Sequence, residues 1–291
     1  MDRFESSAPA VQLVECPRDA MQGWPLFIPT EKKIEYINSL LEVGFDTIDF
    51  GSFVSPKAIP QMADSAEVVE KLAVENSRSK LLAIVANVRG AEEAVGYKKI
   101  RCIGYPFSLS PTFQLRNTNA TMEESIERLE GIQELCLKNN KELVVYLSMG
   151  FGNPYGDIYN EEILLQWAGQ MVSRGIGTIS LADTVGLATP DQISFALRTL
   201  IPRYPDTVFG VHLHSGPKDQ EAKLGAAYTS GCLRFDGALK GIGGCPMAGD
   251  ALVGNMDTGK IIAYLENEKR SIGIDAECLK RSIHLAGEIF V

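Results

Sequence analysis

Short apolar runs rich in β-branched residues alternate with longer stretches of helical period along the whole chain. VQLVEC (11–16), TIDF (47–50), LLAIVAN (81–87) and KIRCIGYPFS (99–108) read as strands. So do ELVVYLSM (142–149), TISLAD (178–183), TVFGVHLH (207–214) and RFDGALKG (234–241). Between them TEKKIEYINSLLEVG (30–44), DSAEVVEKLAVEN (64–76) and TMEESIERLEGIQELCLKNN (121–140) carry the helical pattern. The shortest helix is expected near GAEEAVGYKK (90–99). Thr121 with Glu124 forms a capping box, and Pro190 after Thr189 suits a first helical turn. Gly44 and Gly175 stand where helix ends call for a left-handed residue. Strand and helix alternation predicts a parallel sheet with helices outside, either an open doubly wound sheet or a closed barrel. Eight strands favour closure, so residues 1–291 read as one (β/α)8 TIM barrel of the α/β class.

That fold decides where chemistry should lie, because such barrels build their sites at the carboxyl ends of the strands. Glu15, Arg18 and Asp19 follow the first strand, Asp49 and Ser52 end the second, and Ser148 ends the fifth. Asp183 ends the sixth, and His212 and His214 end the seventh. Cys245 and Asn255 lie in the glycine-rich loop after the eighth, about 242–256, which is expected to close over the mouth. Residues two apart in a strand share a face, so His212 and His214 aim into one space. That geometry serves a pair of metal ligands or two histidines that share a buried face. Asp183 reads either as a helix-capping carboxylate before Thr184 or as an acid–base group.

Composition narrows the class. The chain has a formal charge of −9 with both signs scattered, which excludes the basic stripe of a nucleic-acid binder. No apolar run approaches the ~18–20 residues that cross a bilayer, and MDRFESSAPA lacks the apolar core of a secretion signal. A cytoplasmic protein is the expectation. The six cysteines form no CxxC pair and read as reduced packing residues, Cys245 apart. Cys16 shares a face with Val14, which turns it toward the barrel interior. His284, the third histidine, has no partner motif and reads as an ordinary helix side chain.

VECPRDAMQ, SFVSPKAIPQMAD, LADTVGLATP, HLHSG and GGCPMAGDALVGN together resemble the 3-hydroxy-3-methylglutaryl-CoA (HMG-CoA) lyase family of barrel metallolyases, from about residue 11 to the end. The HxH and RD pairs are shared with the wider superfamily, whereas SFVSPK and GGCP are specific to the lyase branch. The resemblance implies a retro-Claisen cleavage of HMG-CoA to acetyl-CoA and acetoacetate, as in leucine degradation. It implies that Asp19, His212, His214 and Asn255 bind Mg²⁺ or Mn²⁺, and that Arg18, Asp49, Asp183 and Cys245 act in catalysis. Gln22, Ser52 and Ser148 would meet an acyl-CoA substrate, and a homodimer is the expected assembly. Lys57, Arg116 and Asn117 are the candidates for the CoA phosphates. GGCP leaves Cys245 open to a bland reading, a buried cysteine in a turn, which the resemblance reverses.

Departures from the family pattern fall in the substrate pocket. Ala20 replaces a glycine, Gly23 and Trp24 replace a polar pair, and Asp49 stands where a glutamate is usual. Asn153 replaces a cysteine and Pro111 an acidic residue. The alternatives are therefore a lyase of a related branched 3-hydroxyacyl-CoA, or a synthase joining acetyl-CoA to a 2-oxo acid. A barrel that only binds is a third reading, and the retained ionisable set argues against it.

Overall fold

The structure, a computed structural model, describes residues 10–244 and 253–291. Eight strands close in sequence order: β1 (Gln12–Glu15), β2 (Thr47–Ser52), β3 (Lys80–Ile84), β4 (Ile100–Ser108), β5 (Glu142–Ser148), β6 (Thr178–Asp183), β7 (Val208–Leu213) and β8 (Arg234–Gly237). Every neighbouring pair is parallel, including β1 with β8, so no sheet edge is left open.

The helices are α1 (Pro17–Gln22), α2 (Thr30–Val43), α3 (Ser65–Lys71), α4 (Val88–Val95), α5 (Pro111–Thr118), α6 (Met122–Lys138), α7 (Glu161–Ser173), α8 (Pro190–Arg203), α9 (Gln220–Thr229), α10 (Thr258–Asn267) and α11 (Ala276–Ile289). The capping box of Thr121 with Glu124 forms, Pro190 opens α8, and a second box pairs Thr189 with Gln192. Gly44 and Gly175 take φ of 90° and 78°. A continuous apolar layer joins strands to helices, and a smaller cluster joins Leu82, Cys102, Val144 and Tyr146 across β3, β4 and β5. Among the described residues no helix is long and apolar enough to cross a membrane.

The structure trims several expected elements. β1 stops at Glu15 because Pro17 opens α1, with Cys16 as its N-cap. α3 ends at Lys71, where Leu72 turns extended with ψ of 139°. β8 ends at Gly237, and Lys240 then adopts φ of 64° in a short turn. α4 starts at Val88, two residues before the expected helix, because Asn87 caps it by accepting from Gly90 N. α5 was not legible as a helix, yet Ser110 caps it, Pro111 opens it and left-handed Asn119 ends it.

Candidate active site

The site starts from the turn that Pro17 imposes. An extended segment would aim Arg18 and Asp19 to opposite sides, whereas α1 carries both into the barrel mouth, 8% and 4% exposed. Arg18 spends its fork on two carboxylates. Nε lies 3.2 and 3.1 Å from the two oxygens of Asp49, Nη2 donates to Asp49 Oδ2 at 2.5 Å, and Nη1 donates to Asp19 Oδ1 at 2.8 Å. Asp19 Oδ1 also accepts from Gln22 Nε2, and Oδ2 accepts from Asn255 Nδ2, both at 2.7 Å. Burial pushes the Asp19 carboxyl up, but Arg18, the two imidazoles and Asn255 outweigh it and hold its pKa at about 2.

The histidines complete the cluster. Their rings lie 5.2 Å apart between centroids, both buried. His214 Nδ1 is 2.8 Å from the Val253 carbonyl, which can only accept, so Nδ1 carries the proton. His212 Nδ1 is 3.3 Å from Asp236 Oδ2. With both Nδ1 atoms committed, each Nε2 keeps its lone pair for a ligand. Ligand atoms of Asp19, His212 and His214 lie within 4.8 Å of one another. One carboxylate oxygen and two imidazole nitrogens suit a divalent cation, so the donor set fits. Asn255 turns its amide nitrogen to Asp19 and to the Ile242 carbonyl.

Arg18, Asp19, His212 and His214 face a cavity of about 380 Å³, which Gln22, Ser52 and Ser148 also line. Arg116 and Asn117 of α5 line it too, with Arg116 4.7 Å over the Tyr155 ring, whereas Lys57 is exposed and outside the lining. Asp49 sits behind Arg18, off the cavity wall. Asp183 serves the chain: Oδ1 accepts from Ala188 N at 3.0 Å and Oδ2 from Lys223 Nζ at 2.8 Å. Cys245 lies outside the described residues. Cys16 faces inward as expected, its sulfur clustered with His212 and Asp236. His284 is exposed on α11, paired with Glu288.

Several buried charges were not singled out from the sequence, above all Arg234 and Asp236 on β8 and Lys223 on α9. The signal for the first two was present: in RFDG they sit two apart, hence on one face of a strand. Glu15 ends β1. It clasps the loop after β8 from both sides, accepting from Leu239 N at 2.9 Å and from Thr258 Oγ1 at 2.5 Å.

Burial raises the Glu15 pKa from 4.5 to about 8, against the two donors, so the folded chain keeps a proton that the unfolded chain releases near pH 4.5. Stability tied to this proton is complete below pH 4.5 and drains away as pH rises toward 8. Glu15→Gln is therefore expected to flatten the fall in thermal midpoint between pH 5 and pH 8, roughly the window of the shift. Parallel melting curves for the two proteins would refute this.

A closed eight-stranded barrel with a cation-competent cluster at its mouth defines the class: a TIM-barrel protein of the metal-site type. The chain belongs to the HMGL-like family, whose model matches residues 10–285. It is 34% identical over 251 residues to a hydroxymethylglutaryl-CoA lyase of Bacillus subtilis, covering 86% of this chain and 83% of that protein. It is 31% identical over 282 residues to (R)-citramalyl-CoA lyase of Chloroflexus aurantiacus, covering 93% of this chain and 88% of the relative. An HMG-CoA lyase structure from Acinetobacter baumannii, in complex with coenzyme A and 3-methylmalate, superposes with a TM-score of 0.90 at 29% identity. It covers all of this chain and 93% of that one.

Proposed function

We propose that this protein is a carbon–carbon lyase that cleaves HMG-CoA to acetyl-CoA and acetoacetate. The observation that carries the reading is the convergence of Asp19, His212 and His214, with Arg18 beside them, on one cavity of a chain in the HMGL-like family. Asp19, His212, His214 and Asn255 would hold Mg²⁺ or Mn²⁺, with the Asn255 amide nitrogen also donating to Asp19. When bound, such a cation supplies Lewis acidity that favours ionisation of the substrate's tertiary hydroxyl.

The reaction removes the hydroxyl proton, breaks the bond between C3 and C2, and leaves the electron pair on C2 as a thioester enolate that must then gain a proton. Arg18 keeps a permanent charge where oxyanion character develops, because Asp49 and Asp19 hold it protonated against burial. Gln22 and Asn255 orient Asp19 through its two oxygens. Ser52 and Ser148 offer hydroxyls to the acyl group, and Arg116 with Asn117 offers donors to the CoA arm. Cys245 is proposed as the proton donor to the enolate, as the family resemblance implies. Asp49 acts through Arg18, and Asp183 through the loop it caps with Lys223. The expected setting is the cytoplasm and the expected assembly a homodimer.

The citramalyl-CoA relative supports a second reading, in which the preferred thioester is one methylene shorter between C3 and the free carboxylate. The test is product formation from HMG-CoA and from citramalyl-CoA, with Mn²⁺ and with a chelator. Chelator-sensitive acetoacetate release above about 1 s⁻¹ supports the first reading. Pyruvate release from citramalyl-CoA alone would replace it with the second. Consumption of acetyl-CoA only in the presence of a 2-oxo acid would make the protein a synthase and overturn both.

A further inference from the structure

Behind the two histidines the barrel interior holds a second layer of charge. Arg234 and Asp236 alternate on β8 and share its inner face, 3% and 2% exposed. Arg234 Nη1 donates to Asp236 Oδ1 at 2.7 Å, while Asp236 Oδ2 lies 3.3 Å from His212 Nδ1. Register brings the pair together, because His212 and Asp236 are direct partners between β7 and β8. The imidazole also meets the Tyr146 ring edge-on, with centroids 5.8 Å apart and planes at 85°. Gly210 makes room for the arginine stem: a Cβ there would lie 3.0 Å from Arg234 Cγ.

We propose that Arg234 and Asp236 are positioning residues that fix the tautomer of His212. An aspartate can turn about its Cα–Cβ and Cβ–Cγ bonds and present either oxygen, or neither. Arg234 takes Oδ1 and thereby commits Oδ2 to the imidazole. Asp236 cannot donate when ionised, so His212 Nδ1 must carry the proton and Nε2 must offer its lone pair beside Asp19 and His214. Two buried guanidinium and carboxylate groups would otherwise be a poor use of the barrel interior, since such pairs add little stability over apolar packing. His214 is set differently, by the Val253 carbonyl at the end of the loop. His212 is thus the ligand fixed by the barrel itself. This inference rests on the metal reading above.

The arrangement makes a prediction that a merely structural role would not. In Asp236→Asn, Arg234 still claims the side-chain oxygen, which turns the amide nitrogen to His212. The amide then donates to Nδ1, the ring proton moves to Nε2, and the ligand lone pair is lost. Mn²⁺ affinity, read by electron paramagnetic resonance on the full chain without substrate, is expected to fall about 10- to 100-fold. The ¹⁵N shifts of His212 should report the exchanged tautomer. Adding Arg234→Met to Asp236→Asn frees the amide to flip, so the double variant should bind Mn²⁺ more tightly than Asp236→Asn alone. Wild-type Mn²⁺ affinity and tautomer in folded Asp236→Asn, with Asp19→Ala binding none, would overturn the proposal and leave the metal reading standing. Undiminished binding in Asp19→Ala would remove the metal reading and this inference together. A double variant weaker than Asp236→Asn would show that Arg234 does not select the tautomer.

Discussion

Asp19→Ala is expected to lose Mn²⁺ binding and at least about a thousandfold in turnover, the scale on which one lost Lewis-acid site costs several kcal/mol of barrier. Asp19 is the one group that touches the whole cluster: Arg18 and Gln22 on Oδ1, Asn255 on Oδ2, and the two imidazoles within ligand range. Truncation removes a ligand and releases all three donors at once. His212→Ala should do nearly the same by removing a nitrogen ligand, whereas exposed His284→Ala should leave turnover and Mn²⁺ affinity at wild-type values. Isothermal titration with Mn²⁺ and steady-state kinetics on the same preparations check both effects. Full turnover in metal-stripped Asp19→Ala would end the assignment.

Arg18→Met is the second large effect, with a fall in kcat of about 10²- to 10³-fold and a smaller change in KM, as for loss of an oxyanion donor. The substitution also strands Asp49, a fully buried carboxylate, so lost folding could be mistaken for lost chemistry. Arg18→Met with Asp49→Asn separates them. Removing the orphaned charge should restore much of the thermal midpoint and none of the kcat. Arg18→Lys should also fail, because one ammonium cannot bind Asp49 through two nitrogens and Asp19 through a third. Recovery of kcat in the double variant would reduce Arg18 to a structural partner of Asp49.

The barrel was legible because short, nearly continuous apolar runs, as strands buried on both faces require, alternate with capped helices regularly enough to fix topology without a single tertiary contact. The mouth was legible for the same reason: once TVFGVHLH (207–214) reads as extended chain, His212 and His214 must share a face, and His214 keeps it in a bridge to Asn255 just past β7. What stayed hidden depends on closure. Asp236 becomes a partner of His212 only when β8 pairs with β7, and Arg234 is tolerated inside only because Gly210 yields space across that pair. α5 escaped notice because PTFQLRNT has no clear apolar stripe, and its cap at Ser110 is shared with Asp157 from the loop after β5. Arg18 and Asp19 needed a turn that sequence alone could only demand, and Pro17 supplies it as the first residue of a helix.

The loop after β8 is knitted into the cluster through its described ends: Val253 and Asn255 hold His214 and Asp19, and the Ile242 carbonyl holds Asn255. For anyone exchanging this segment between relatives to alter substrate choice, the seams matter more than the insert. A graft that keeps Ile242, Val253 and Asn255 leaves every one of these anchors native, whereas one that replaces them imports a foreign cradle for Asp19 and His214.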